Sequence, residues 1–191
     1  MPWEKSYDET QVLECAARAF WTKGFEATSM ADLVRETGIN RGSIYAAFTD
    51  KRGLFLKALD HYDRIYRAGY LDRIDPSLSP AEAILKVFED AARPAGDRPG
   101  GCLLVNTALE LSPHDPEIAA FVDERLRAVE DFFRDRIRDG RDSRAMPPRV
   151  KPRSSAQALL SLFLGLRVLT RSSGRPAATD AILEQVRAML R

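Results

Sequence analysis

Cysteine and histidine are scarce in this chain. Its 191 residues hold two of each: Cys15 and Cys102, His61 and His114. Two thiols far apart in sequence form neither a disulfide framework nor a cysteine-rich metal cluster. Two isolated imidazoles leave a zinc site short of ligands. No metal and no cofactor is therefore expected, and both histidines read as surface or capping residues. Long apolar runs are missing as well. None approaches the roughly 20 residues that span a bilayer. The longest candidate, residues 156–169, is interrupted by Gln157, Ser161 and Arg167 and reads as a core or interface helix. The opening MPWEKSYDET has no apolar signal-peptide core, so a cytoplasmic location with no membrane partner is expected. An excess of one charge is also absent: 29 Lys and Arg against 28 Asp and Glu leave a formal net charge of +1. Many nucleic-acid-binding modules are strongly basic. A role of that kind must come here from the local placement of charge.

What the chain has is helix punctuation. Residues 8–23 carry Val12, Leu13, Ala16, Ala19 and Phe20 at the spacing of one helical face, and Gly24 is a natural terminator. Ser29 and Asp32 fit a capping box for a short helix that Gly38 stops. Asn40 suits the N-cap of a second short helix over 41–48. A longer fourth helix is predicted over about 50–71. Ser79, Pro80 and Glu82 open a fifth. The stretch RPAGDRPGG, 93–101, is a loop, followed by a sixth helix over about 102–111. Asp115 and Pro116 start a seventh, which reaches about residue 139 with Ile118, Phe121, Val122, Leu126, Val129, Phe132, Phe133 and Ile137 in helical period. AMPPRVKPR, 145–153, reads as a basic proline-rich loop. Helices over about 154–172 and from Pro176 to 190 complete the chain. No useful β-alternation, internal repeat or low-complexity segment is present, so the fold class is all-α.

The most informative stretch is GFEATSMADLVRETGINRGSIYAAFTDKRGLFL, 24–56. Two short helices around a glycine-containing turn are the helix-turn-helix pattern. Met30, Leu33 and Val34 face inward from the first, Ile39 packs between the two, and Ile44 and Phe48 face inward from the second. Arg41, Gly42, Ser43 and Ala46 are left outward at the end that enters a major groove. Arg41 suits guanine O6/N7 or phosphate, and Ser43 suits either. Gly42 permits close backbone approach. Thr28 and Ser29 lie at a helix N-terminus, which favours phosphate, and Tyr45 and Lys51 suit the flanking backbone.

The run AxxFWxKGFEATSMxDLxxxTGINRGSIYAAFxDKxxLFxxALxxY, 17–62, resembles the N-terminal domain of TetR-family transcriptional regulators. The resemblance implies a three-helix DNA-binding domain, 1–50, joined by a long fourth helix to a larger effector-binding and dimerisation domain, 51–191, with about nine helices in all. It implies a two-fold dimer on double-stranded operator DNA, contacted through Thr28, Arg41, Gly42, Ser43, Tyr45 and Lys51. It further implies a small-molecule effector and, by the family's usual mode, repression. The phrase GGCLLVN, 100–106, is similar to a branch of the family with glycine and cysteine at the start of the sixth helix, which includes electrophile- and oxidant-responsive repressors.

Cys102 accordingly has two readings. At a helix N-terminus, with Arg93 or Arg98 close by, it suits a sensor thiol; otherwise it is a small packed residue, as free cysteines commonly are. Cys15 reads as structural. Phe88, Phe121 and Phe163, with Asn106, are candidates to line an effector pocket, although core packing explains their spacing equally well. Leu159, Leu160, Leu162, Phe163, Leu166, Leu169, Ile182, Leu183, Val186 and Leu190 exceed what a helix pair packed on one side requires. A homodimer through 154–190 would bury the surplus in a four-helix interface. Two other functions compete with a regulator: a helical protein-binding adaptor, and an enzyme using Cys102 as nucleophile, which would need a base and an orienting group nearby.

Overall fold

The computed structural model describes residues 7–93, 96, 99–172 and 176–191, and the chain divides into two compact units, Met1–Gly69 and Tyr70–Arg191. All regular structure among the described residues is helical.

In the first unit α1 spans Glu9–Lys23, α2 Met30–Thr37, α3 Arg41–Phe48 and α4 Lys51–Tyr62. The ends fall where the caps stand. The Asp8 carboxylate accepts from the backbone N–H of Thr10 and Gln11, and Ser29 and Asp32 close a complete capping box. Val12, Leu13, Ala16, Ala17, Phe20 and Trp21 make the buried face of α1. Phe20 is fully enclosed. It meets Phe55 of α4 edge-on at 5.0 Å, a burial worth about 1.5–3 kcal/mol for such a ring. One expectation fails here. His61 lies inside, with Nε2 3.1 Å from the Glu14 carboxylate. Its position on α4 turns it toward α1, and the carboxylate supplies the polar partner that makes burial tolerable. His114 is exposed, as expected.

The fourth helix does not keep one winding. After Tyr62 it continues as a π-helical stretch, Asp63–Ala68, then a last α turn, Gly69–Leu71. The boundary between the units falls at its end.

The second unit holds α5, Pro80–Ala92; α6, Leu103–Glu110; α7, Pro116–Asp142; α8, Pro152–Arg171; and α9, Pro176–Leu190. Its core joins Ile84, Val87 and Phe88 of α5, Val129, Phe133 and Ile137 of α7, Ala156, Leu159 and Leu166 of α8, and Val186 and Leu190 of α9. Residues 145–151 are not a bare basic loop: Met146 and Val150 are buried in the same core. The Arg141 guanidinium donates to the carbonyls of Pro148, at 2.7 Å, and Val150. The segment therefore closes tightly between α7 and α8.

Candidate nucleic-acid interface

The helix-turn-helix is built from its turn outward. Gly38 ends α2 at φ 73°, in the left-handed region, and its N–H returns to the Val34 carbonyl. Glycine meets that demand without a Cβ penalty. Ile39 is buried behind the turn, and Leu33, Ile44 and Phe48 anchor the two helices from inside. Asn40 caps α3 by accepting from the Ser43 N–H at 2.9 Å. The first turn of α3 is thus fixed with Arg41 and Gly42 exposed and Ser43 half-buried. Tyr45, one turn on, is 42% exposed, a large ring left facing water. The Arg41 guanidinium lies 5.5 Å from the centre of that ring, and Nη2 donates to the Tyr45 hydroxyl at 3.1 Å. The pair presents a preformed donor array.

The other predicted residues occupy different situations. Lys51, at the start of α4, folds back over the Phe25 ring at 4.4 Å, with Nζ 3.4 Å from the Glu26 carbonyl. Ser29 is exposed, yet its hydroxyl serves the cap, accepting from the Asp32 N–H and donating to the Asp32 carboxylate. Thr28 is completely buried, and its hydroxyl donates to the Gly24 carbonyl at 2.5 Å. That hydroxyl therefore fastens the turn between α1 and α2. A β-branched residue whose oxygen finds the chain four residues back can be hidden at an otherwise exposed corner.

Asp32 is a hub that the capping reading only half describes. Its carboxylate takes Lys23 Nζ at 2.6 Å and Arg35 Nη2 at 2.7 Å besides the Ser29 bonds. Lys23, then Ser29 and Arg35, hold its carboxyl far below the usual carboxylate range. Two features at the α3–α4 corner also escape the sequence reading. Thr49 stands at φ 71°, ψ −54°, the centre of a γ-turn in which the Asp50 N–H donates to the Phe48 carbonyl at 2.8 Å. Such a geometry is strained for a β-branched residue. Gly53 passes so close that a Cβ would overlap the same Phe48 carbonyl oxygen.

In the second unit, Phe88 and Phe163 come together. Phe88 is stacked on Phe133 at 5.7 Å and meets Phe163 edge-on at 5.7 Å. Phe121 instead has the Arg125 guanidinium 3.6 Å above its ring. Cys102 is the half-buried N-cap residue of α6, and its carbonyl accepts from the Asn106 N–H. Arg93 is exposed and paired with Asp90 at 3.2 Å; Arg98, also considered beside Cys102, lies outside the described residues. Cys15 and Cys102 are not joined in a disulfide. Burial and the neighbouring Glu14 push the Cys15 thiol up, in keeping with a structural role. Among the described residues no group of ligands suits a metal ion, and no helix is long and apolar enough to cross a membrane.

Residues 3–58 match the model of bacterial regulatory proteins of the tetR family, and residues 80–186 match the tetracyclin repressor-like C-terminal domain. The chain belongs to the TetR family. It is 35% identical over 131 residues to the HTH-type transcriptional regulator YezE of Bacillus subtilis, covering 68% of each chain. It is 32% identical over 174 residues to the HTH-type transcriptional repressor ComR of Escherichia coli, covering 87% of this chain and 81% of that one. Among solved structures it is similar to a cysteine-substituted TetR-family regulator, CifR, complexed with 26-base-pair double-strand operator DNA. There the TM-score is 0.86 at 26% identity over 98% of both chains. As a TetR-family member the protein is a transcriptional regulator and not an enzyme. The TetR assignment spans both units, which removes the grounds for a cysteine nucleophile or a stand-alone adaptor.

Proposed function

We propose that the protein is a dimeric repressor that places α3 of each subunit in the major groove of its operator. The observation that carries this reading is the exposed N-terminal turn of α3. Arg41, Gly42 and Tyr45 are exposed there, with Ser43 half-buried among them, on a scaffold locked by Asn40, Gly38 and the buried Ile44 and Phe48. Arg41 reads a base edge or a phosphate, and Tyr45 and Lys51 hold the flanking backbone. Ser29 offers its helix N-terminus to a phosphate, while Thr28 positions that turn. The operator complex of CifR supports the docking mode, and the repressor ComR supports the sign of regulation. The place of action would be the cytoplasm, where the DNA is.

Dimerisation would use 154–190. Gln157, Ser161 and Gly165 are exposed along one face of α8, and Val168 on that face is 45% exposed. Ile182, Leu183 and Met189 of α9 are only half-buried. A partner's α8 and α9 would cover them. Half-sites then lie about 34–36 Å apart, or at a multiple of that spacing. Release from the operator would follow an effector that parts the Phe88–Phe163 cluster, or a reagent that modifies Cys102; either shifts the balance of two states by its differential affinity for them.

The test is binding of the purified protein to the DNA upstream of its own coding sequence, across a salt series, against a random fragment. Tight, salt-sensitive preference for that fragment supports the reading, and absence of salt-dependent affinity for any DNA overturns it. Release by an electrophile that Cys102→Ser abolishes supports the thiol as the sensor; release that survives the substitution removes Cys102 from the mechanism.

A further inference from the structure

The π winding of the fourth helix has a cause in α1. Between Asp63 and Ala68 the backbone bonds run from i to i+5, and the Gly69 N–H closes the stretch by donating to the Arg64 carbonyl. Such turns are short and rare, because an ordinary α turn is better packed, so something must favour this one. Two of the side-chain contacts here do not discriminate. Asp63 with Arg67, and Tyr62 stacked on Tyr66 at 5.1 Å, are four residues apart and fit an α-helix equally well. The grip of Glu14 does discriminate. Glu14 of α1 holds His61 through Oε2 at 3.1 Å and accepts from the Tyr66 hydroxyl through Oε1. His61 and Tyr66 are five apart. In an α-helix of 3.6 residues per turn, such positions point roughly 140° away from each other. In a π turn they stack on one face, where a single carboxylate reaches both.

We infer that Glu14 selects the π winding of the fourth helix by gripping His61 and Tyr66 together, and so sets the helical phase of its last turn, Gly69–Leu71. Reversion to α winding would shift the phase of that last turn by one residue, about 100°. Glu14 is thus a positioning residue. It and His61 belong to α1 and α4, outside the predicted DNA contacts. The use of this phase in regulation rests on the regulator reading above; the winding itself does not.

The experiment follows the winding directly, without DNA. In isotope-labelled full-length protein, the scalar coupling across the Gly69 N–H to Arg64 carbonyl hydrogen bond reports π winding. A coupling from Gly69 to the Ile65 carbonyl reports α winding. The wild type is expected to show the first. Glu14→Ala and Tyr66→Phe are expected to show the second. Tyr66→Phe keeps the ring that packs on Trp21 at 5.8 Å and so decides the matter if Glu14→Ala does not fold. Glu14→Gln is expected to keep the π coupling, since its carbonyl accepts from the Tyr66 hydroxyl and its amide reaches the His61 ring nitrogen. Persistence of the Arg64 coupling in Tyr66→Phe, or its loss in Glu14→Gln, would overturn the inference. Operator affinity of the same proteins, measured separately, then shows whether the phase is used.

Discussion

At the scale of single residues, the α3–α4 corner carries opposite demands within five positions. Thr49 holds a positive φ that a β-branched side chain resists, while Gly53 is required because the Phe48 carbonyl fills the space of its Cβ. Thr49→Gly removes the strain but raises the entropy of the unfolded chain. A net gain of about 0.5–1 kcal/mol is expected, read as a rise in the urea midpoint. Gly53→Ala forces the two helices apart at a packed corner and should lose roughly 2–3 kcal/mol by the same measurement. Equal midpoints for the two variants would contradict the geometry of this corner. Arg41 behaves differently. It is exposed on α3, so Arg41→Ala should leave the urea midpoint nearly unchanged and weaken operator binding by about tenfold to a hundredfold, the loss of one good base contact. An effect on folding but none on binding would remove Arg41 from the interface.

At the scale of elements, the helix ends were legible because their caps are chemical. Ser29 with Asp32, Asn40, Ser79 with Glu82, and Asp115 each satisfy backbone N–H groups that a helix start leaves open, and each is a residue type that does little else so well. What stayed hidden depends on partners distant in sequence. The π stretch follows from Glu14, some 50 positions upstream of Tyr66; no periodicity within 63–68 announces it. His61 looks like any helical histidine until α1 covers it, and Met146 and Val150 look like loop residues until the core receives them. The cap of α2 also carries a pH dependence. Lys23, Ser29 and Arg35 hold the Asp32 carboxyl below its ordinary value of 3.8. The folded chain therefore binds that proton less readily than the unfolded one. The stability contributed is full above the ordinary value and is lost as the pH falls below it. Ser29→Ala should cost about 1 kcal/mol at neutral pH, and its cost should shrink in the range below about pH 4, as the pH falls toward the depressed folded value and the carboxylate it serves becomes protonated. Thermal melts of the two proteins across that range measure the difference; a constant gap would place the cap's strength in the hydroxyl alone.

At the scale of the whole molecule, the near-neutral charge bears on the number of binding heads. A net charge of +1 provides little general attraction to DNA, and at the interface Lys23 and Arg35 are already committed to Asp32. In the proposed docking a single head would rest on a few contacts around α3 and would hold the duplex weakly. Joining two heads makes the second binding event intramolecular and multiplies affinity by about 10²–10⁴ without any new contact. On this argument the exposed face of α8 matters to DNA binding although it touches no DNA. Val168→Glu places a charge at the C-terminal end of that face and leaves Leu159 and Leu166, which hold α8 to its own core, untouched. The variant is expected to sediment as a folded monomer and to lose at least about a hundredfold in operator affinity. Its salt dependence is expected to change too. The slope of log K against log salt is about −0.9 for each phosphate neutralised, so one head should show half the dimer's slope. A variant that stays dimeric would move the interface off α8; a monomer that keeps the full slope would mean that one head makes all the phosphate contacts.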